Sequence, residues 1–126
     1  MILIADDDND TRYFTERWFQ AQGYLAVSVA DGASALRLAG TLRPALIVLD
    51  HMLPGMDGIQ VCRSVRNDPA LRAVPVAFYS ADAAGEAEAL GAGADAYFVK
   101  GVSRPQAMLE FVRRCVGPPT IKPQKP

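Results

Sequence analysis

The chain has 126 residues, half of them apolar and 21% charged, with a formal net charge of −1. That length suits one domain with a real core, and the near-neutral charge leaves no electrostatic footprint for nucleic acid. No apolar run approaches the ~20 residues of a membrane span, and acidic residues follow Met1 too closely for a secretory leader, so a cytoplasmic protein away from membranes is expected.

In chain order, residues 1–5 form a short apolar strand that runs into Asp6-Asp7-Asp8. Asn9 or Asp10 is placed to cap a helix in which Phe14, Trp18 and Ala21 recur at helical spacing, and Gly23 stops it. Residues 24–29 read as a second strand. Asp31-Gly32 then leads into a helix with Leu36, Ala39 and Leu42 on its inner side, closed by Pro44. Residues 45–49 are a continuous apolar run ending at Asp50, followed by a turn at Pro54-Gly55; such a run is what a strand buried on both faces looks like.

Asp57-Gly58 opens a helix whose one side carries Ile59, Cys62 and Val65/Arg66, ended by Asn67-Asp68-Pro69. Residues 74–79 form a fourth strand that delivers Ser80. The stretch 83–90 has room only for a short helix before Gly91 and Gly93, each Gly costing about 1 kcal/mol relative to Ala in a helix. Residues 94–99 form a fifth strand ending at Lys100. Ser103 is placed to cap a last helix with Met108, Leu109, Val112, Cys115 and Val116 inside. Cys62 and Cys115 have no CxxC spacing and both fall on apolar helix faces, so they read as small buried hydrophobes rather than a disulfide or metal site. The tail 117–126 holds four prolines in ten residues and reads as a linker or disordered end, leaving 1–116 as the folded domain.

Strands alternating with helices imply an α/β fold with a five-stranded parallel sheet covered by helices on both faces. The strands end on a coherent polar set: Asp6 and Asp7, Asp50, Ser80 and Lys100. In the doubly wound order 2-1-3-4-5, strands one and three are neighbours, which brings Asp6, Asp7 and Asp50 together at the edge where ligands bind. Three carboxylates in one crevice repel and raise at least one pKa unless a cation joins them. An all-oxygen set favours a hard divalent ion, Mg²⁺ where phosphate chemistry happens. Ser80 and Lys100 add a hydroxyl and an ammonium, which would neutralise a transferring phosphoryl group. The implied reaction is attack by Asp50 on a phosphoryl donor to give an aspartyl phosphate.

Singly, each residue has an ordinary use. An acidic run suits a helix N-terminus, an Asp caps a turn, Ser80 suits a solvated loop and a lysine suits a surface. Together, four strand ends each carrying the required group point to chemistry, and Lys100 is the only lysine before residue 122.

With those residues in place, the sequence resembles a response-regulator receiver domain, the phosphoacceptor module of two-component signalling. The motifs that carry the resemblance are Ile2 to Asp8, Leu49-Asp50 to Gly58, Ser80-Ala81 and Gly93 to Lys100. It implies a flavodoxin-like three-layer sandwich with strand order 2-1-3-4-5. It further implies Asp50 as phosphoacceptor, with Asp6, Asp7 and the Met52 carbonyl as Mg²⁺ ligands and Ser80 and Lys100 on the phosphoryl group. Tyr97 is implied as the aromatic that moves with Ser80 on activation. The partners implied are a histidine kinase or phosphotransfer protein and a downstream effector, and a homodimer is compatible. Self-catalysed phosphorylation and dephosphorylation is implied, without conventional turnover.

Three features depart from the usual pattern. The family commonly has Lys-Pro with a cis bond where this chain has Lys100-Gly101, so a trans bond and a more mobile loop are expected. The span from Ser80 to Lys100 is short and rich in Ala and Gly, so the fourth helix should be marginal. His51, the only histidine, follows Asp50 on a strand end and should point to the other face, in a packing or solvated role.

The first and second of these keep an alternative open, a docking domain with this fold that works without phosphorylation. A phosphohydrolase with an Asp nucleophile would want a second Asp two residues on as general acid, and Met52 stands there. A flavin phosphate would be repelled by Asp6-Asp7-Asp8.

Overall fold

Two uncharged runs of four residues, β1 (Ile2–Ala5) and β3 (Leu46–Leu49), are buried at every position. Only central strands of a sheet covered on both sides can be that apolar throughout. The computed structural model, which describes residues 1–119 and Ile121, places them side by side. β2 (Ala26–Val29), β4 (Val76–Ser80) and β5 (Ala96–Val99) complete a parallel sheet of order β2-β1-β3-β4-β5. Fold class and strand order are as expected.

Side-chain alternation divides the core in two. Leu3, Ala5, Ile47, Leu49 and Phe78 face α2 (Gly32–Leu42), α3 (Gly58–Asn67) and α4 (Glu86–Gly91). Ile2, Ile4, Leu46, Val48, Ala77 and Phe98 face α1 (Asn9–Ala21) and α5 (Pro105–Val116). The period of two along each strand thus fixes which helices cover which face.

Several local expectations shift. β2 and β5 each start two residues later than the apolar pattern suggests, at Ala26 and Ala96. The cause is the preceding helix: Gly23 and Gly93 adopt φ of +93° and +109°, and the next amides close the helix, Tyr24 N–H donating to Phe19 O and Ala94 N–H to Ala89 O, both at 3.1 Å. This is the six-to-one bond of a Schellman stop, and an amide spent there cannot join the sheet. Similarly, Val74 N–H closes a turn on Leu71 O at 2.9 Å, and β4 starts at Val76.

The caps also differ. Asp8, rather than Asn9 or Asp10, caps α1 through Thr11 N–H at 2.8 Å. Ser103 does not cap α5; its hydroxyl accepts from Val99 N–H at 2.8 Å, and Arg104 holds the cap position with no side-chain bond, Pro105 following at N1. On α1 the inner positions are Thr15 and Phe19, Trp18 is half-buried, and Phe14 faces outward with 68% of its surface exposed. On α2 they are Ala35 and Ala39, with Leu42 at the exposed end. Phe111 joins the expected inner residues of α5. Cys62 is fully buried and Cys115 half-buried, and both thiols are free.

Arg66 sits on the inner side of α3 as a clamp. Its guanidinium donates to the carbonyls of Gly93, Arg72 and Val74 and to the Asp95 carboxylate, all within 3.0 Å, tying α3 to the α3–β4 connection and to the α4–β5 turn. The short fourth helix is confirmed as a 3-10 turn (Ala83–Gly85) followed by six residues of α4. All described peptide bonds are trans, Lys100–Gly101 included. Among the tail residues, Gly117 O accepts from the Tyr24 hydroxyl at 2.8 Å and Ile121 N–H donates to Gly23 O at 3.1 Å; Thr120 and 122–126 lie outside the described residues. No helix among the described residues is long and apolar enough to cross a membrane.

α3 begins with a full capping box: Asp57 accepts from Gln60 N–H while the Gln60 side chain accepts from Asp57 N–H, each at 2.9 Å. Asp57→Ala is expected to lower the unfolding free energy by about 1 kcal/mol, read as a fall in the urea midpoint at unchanged slope.

Candidate functional site

The carboxyl edge of the sheet is assembled by backbone register before any side chain acts. Asp6 N–H donates to Val29 O at 3.1 Å, Asp50 N–H to Ala5 O at 2.9 Å, and Lys100 N–H to Ser80 O at 2.9 Å. Each bond continues a strand pairing by one residue, so Asp6 and Asp50 emerge side by side from β1 and β3, and Lys100 follows β5 beside the end of β4. Asp6, Asp50 and Ser80 are buried, at 3%, 8% and 1% exposure. These are the only strongly buried polar side chains of the described residues apart from Thr15, and burying carboxylates is costly unless they are paired.

Lys100 supplies the pairing. Its Nζ donates to Asp6 Oδ2 and to Asp50 Oδ2, each at 2.8 Å. Burial opposes the lysine's charge, but the hydrogen bonds and negative charges of Asp50 and Asp6 outweigh it and hold its pKa above the usual 10.5. Asp6 keeps a pKa above the usual 3.8 because burial dominates, against the Lys100 hydrogen bond and the Asp8 N–H on Oδ1 at 3.0 Å; repulsion from Asp50 adds the smallest push. A raised carboxylate was expected, though from repulsion rather than mainly from burial.

The exposed Asp7 completes an acidic triplet: one oxygen each from Asp6, Asp7 and Asp50 lies within 4.8 Å of the others. Only oxygen donors converge, the set that a hard divalent cation prefers over softer metals. Three carboxylates against one ammonium also leave a charge that a divalent ion would balance.

The remaining expected residues fall around this centre. Met52 N–H points at Asp50 Oδ1 at 3.4 Å, while its side chain is 70% exposed. Ser80 Oγ accepts from Asp82 N–H at 3.4 Å. Tyr97 stacks on Phe78, centroids 5.8 Å apart, and its hydroxyl donates to the Asp82 carbonyl; burial raises the pKa of the phenol. His51 points away from Asp50 and packs near Phe78, with Nε2 3.2 Å from Glu88 Oε1.

Two neighbours escape sequence reading. Arg12 Nη1 donates to the Asp6 carbonyl at 3.0 Å, a contact across six residues that no helical spacing announces. A groove of about 400 Å³ between α1 and the start of α5 is lined by Phe14, Trp18, Met108 and Lys100. Nothing in the sequence marks the groove, since Phe14 has the helical spacing of an inner residue.

This edge, with its acidic triplet and bridging lysine, can be set against known proteins. The response regulator receiver domain family matches residues 2–113. The chain belongs to that family. It is 36% identical over 114 residues to the DNA-binding response regulator MtrA of Mycobacterium tuberculosis, covering 89% of this chain and 48% of MtrA. It is 37% identical over 101 residues to the response regulator PleD of Caulobacter vibrioides, covering 79% of this chain and 22% of PleD. The receiver domain thus spans about half or less of the length of these relatives.

Among solved structures, it superposes with a TM-score of 0.83 and 28% identity on the receiver domain of the Pseudomonas aeruginosa sensor histidine kinase PA1611, covering 92% of this chain and 96% of that one. That structure has a magnesium ion coordinated in its active-site cleft. Chemotaxis protein CheY4 of Vibrio cholerae gives 0.80 and 26%, covering 90% and 96%. Receiver domains are signalling domains of two-component response regulators rather than classical enzymes.

Lys100→Ala removes both the hydrogen bond and the positive charge that hold Asp6 down. Asp6 is therefore expected to titrate at higher pH than in the wild type, read by carbon-detected NMR of the carboxyl groups; an unchanged or lower midpoint would contradict this account of the pair.

Proposed function

We propose that this receiver domain is a phosphoacceptor switch in which Asp50 takes a phosphoryl group from a histidine kinase or phosphotransfer protein, with 1–116 as the working unit and 117–126 as a tail. The observation that carries the reading is the Lys100 ammonium held 2.8 Å from both Asp6 and Asp50, a cation built into the place where charge would develop. In the forward step an Asp50 oxygen attacks phosphorus, the bond from phosphorus to the donor's imidazole nitrogen breaks, and its electron pair returns to the ring. Lys100 holds the carboxylate in place before the step and neutralises phosphoryl oxygens during it, and Ser80, at the next strand end, offers its hydroxyl to the same group. Asp6, Asp7 and Asp50, with the Met52 carbonyl, would hold Mg²⁺, which when bound supplies charge neutralisation for the phosphoryl group. Dephosphorylation returns the phosphoryl group to water without a separate general acid, consistent with Met52 two positions beyond Asp50.

A protein donor must bring its phosphohistidine to Asp50, and the groove between α1 and α5 shares Lys100 with that site. Its exposed Phe14 beside Trp18 and Met108 offers the apolar anchor such a partner needs. On this reading the phosphorylated domain changes the surface around Tyr97, and a downstream effector reads that surface.

Incubation with a small phosphodonor and Mg²⁺ is expected to add one phosphate to the wild type and none to Asp50→Ala, read by intact mass. No adduct at any Mg²⁺ concentration would favour docking without phosphorylation. Phe14→Ala is expected to leave labelling by the small donor unchanged and to slow transfer from a protein donor about tenfold, the equivalent of ~1.4 kcal/mol; equal slowing of both reactions would take the groove out of donor binding.

A further inference from the structure

Asp50 and His51 leave the end of β3 in opposite directions, Asp50 toward Lys100 and His51 toward α4. The peptide between His51 and Met52 is tied to the carboxylate, since Met52 N–H lies 3.4 Å from Asp50 Oδ1. The His51 carbonyl is pinned on the other side by Gly58 N–H at 3.1 Å. A change at the Asp50 carboxylate therefore acts on the one peptide that carries the imidazole, while the α3 end of that loop stays fixed.

The imidazole has little room to respond passively. It lies 6.0 Å from the Phe78 ring, and its Nε2 lies 3.2 Å from Glu88 Oε1 on α4. Between His51 and Tyr97 sits Gly85, buried in the 3-10 turn that precedes α4. A Cβ on Gly85 would fall 2.6 Å from His51 Cδ2 and 2.8 Å from the Tyr97 hydroxyl oxygen. The 3-10 turn is thus wedged between two side chains, one following the phosphoacceptor and one belonging to β5. α4 itself has six residues and buries only Ala89, so its seat depends strongly on these contacts.

We infer that His51 is a positioning residue that carries displacement of the Asp50 loop to the 3-10 turn and α4, along a route separate from Ser80 and Tyr97. The inference rests on the reading of Asp50 as phosphoacceptor and adds to it a second route to α4. The Ser80 route runs from the end of β4 to Asp82, whose carbonyl receives the Tyr97 hydroxyl. The His51 route crosses directly from the β3 loop through Gly85 and Glu88. The two meet at Gly85, so α4 reports the state of Asp50 through both.

The test uses the full chain with Mg²⁺ and beryllofluoride as phosphoryl mimic. Fluorine NMR reads occupancy, and amide hydrogen exchange reads 83–91 and 96–99 with and without the mimic. In the wild type, exchange in both segments is expected to change on binding. His51→Ala is expected to keep occupancy and the 96–99 response while shrinking the 83–91 response roughly fivefold, the low end of typical coupling between sites. Glu88→Ala should act in the same direction, and His51→Gln, which keeps an Nε2–H of similar reach, should restore most of the response. A purely space-filling His51 would alter exchange in the free protein but leave the change on binding intact, and that result overturns the inference. Loss of occupancy in His51→Ala also overturns it, by making His51 part of the binding site. A wild type that binds no beryllofluoride overturns the phosphoacceptor reading together with this one.

Discussion

The contact between the Lys100 ammonium and the carboxylates of Asp6 and Asp50 is the constraint around which this edge of the sheet is arranged. Asp6 and Asp50 are nearly sequestered from water, and burying two carboxylates side by side is costly unless a cation pairs them. A lysine at the end of β5 reaches them across β4 and β3, which intervene in register, the amides of Asp6, Asp50 and Lys100 each donating one residue beyond the ladder. The sheet order thus does chemical work: it sets the ammonium at 2.8 Å from two carboxylates that come from residues far apart in the chain.

That centre was legible because its residues sit where apolar runs stop. The runs before Asp6, Asp50 and Lys100 are short and uncharged, the first two buried at every position, and a polar residue closing such a strand has nowhere to go but the sheet edge. What could not be read is where the competition lies between two uses of one group. Tyr24 and Ala94 look like strand residues by composition, yet their amides close the previous helices. Ser103 looks like a cap, yet its hydroxyl bonds backward to Val99. Asp8 outcompetes Asn9 and Asp10 for the cap of α1 because its carboxylate reaches both the amide and the hydroxyl of Thr11, at 2.8 and 2.6 Å. Phe14 satisfies helical spacing as well as Phe19 does; only the position of β1 and α5 decides that Phe19 is buried.

α4 is the weak element by design of its sequence. It has six residues, no basic residue in its last turn and no side-chain cap, so propensity alone would not hold it. Its place is set instead by Ala89 in the core, by the Cys62 thiol on Ala92 O at 3.5 Å, and by the His51–Glu88 contact. An element held by a few tertiary contacts changes state when one of them changes. The shortness of α4 therefore suits it to the role proposed for it.

The alternation of a strand end gives this arrangement its economy. Asp50 and His51 are consecutive, so any geometry that buries one carboxylate against Lys100 must aim the next side chain across the sheet toward α4. On the proposed reading, chemistry and readout would share a single peptide link and need no long relay. Gly85 is what makes the link tight, because only a residue without a Cβ lets His51 and Tyr97 close on the same turn. Any side chain at position 85 would have to displace the imidazole, the phenol or the turn itself. A looser Lys100–Gly101 loop would leave that link intact, since no hydrogen bond or salt bridge among the described residues joins His51 or Gly85 to Lys100.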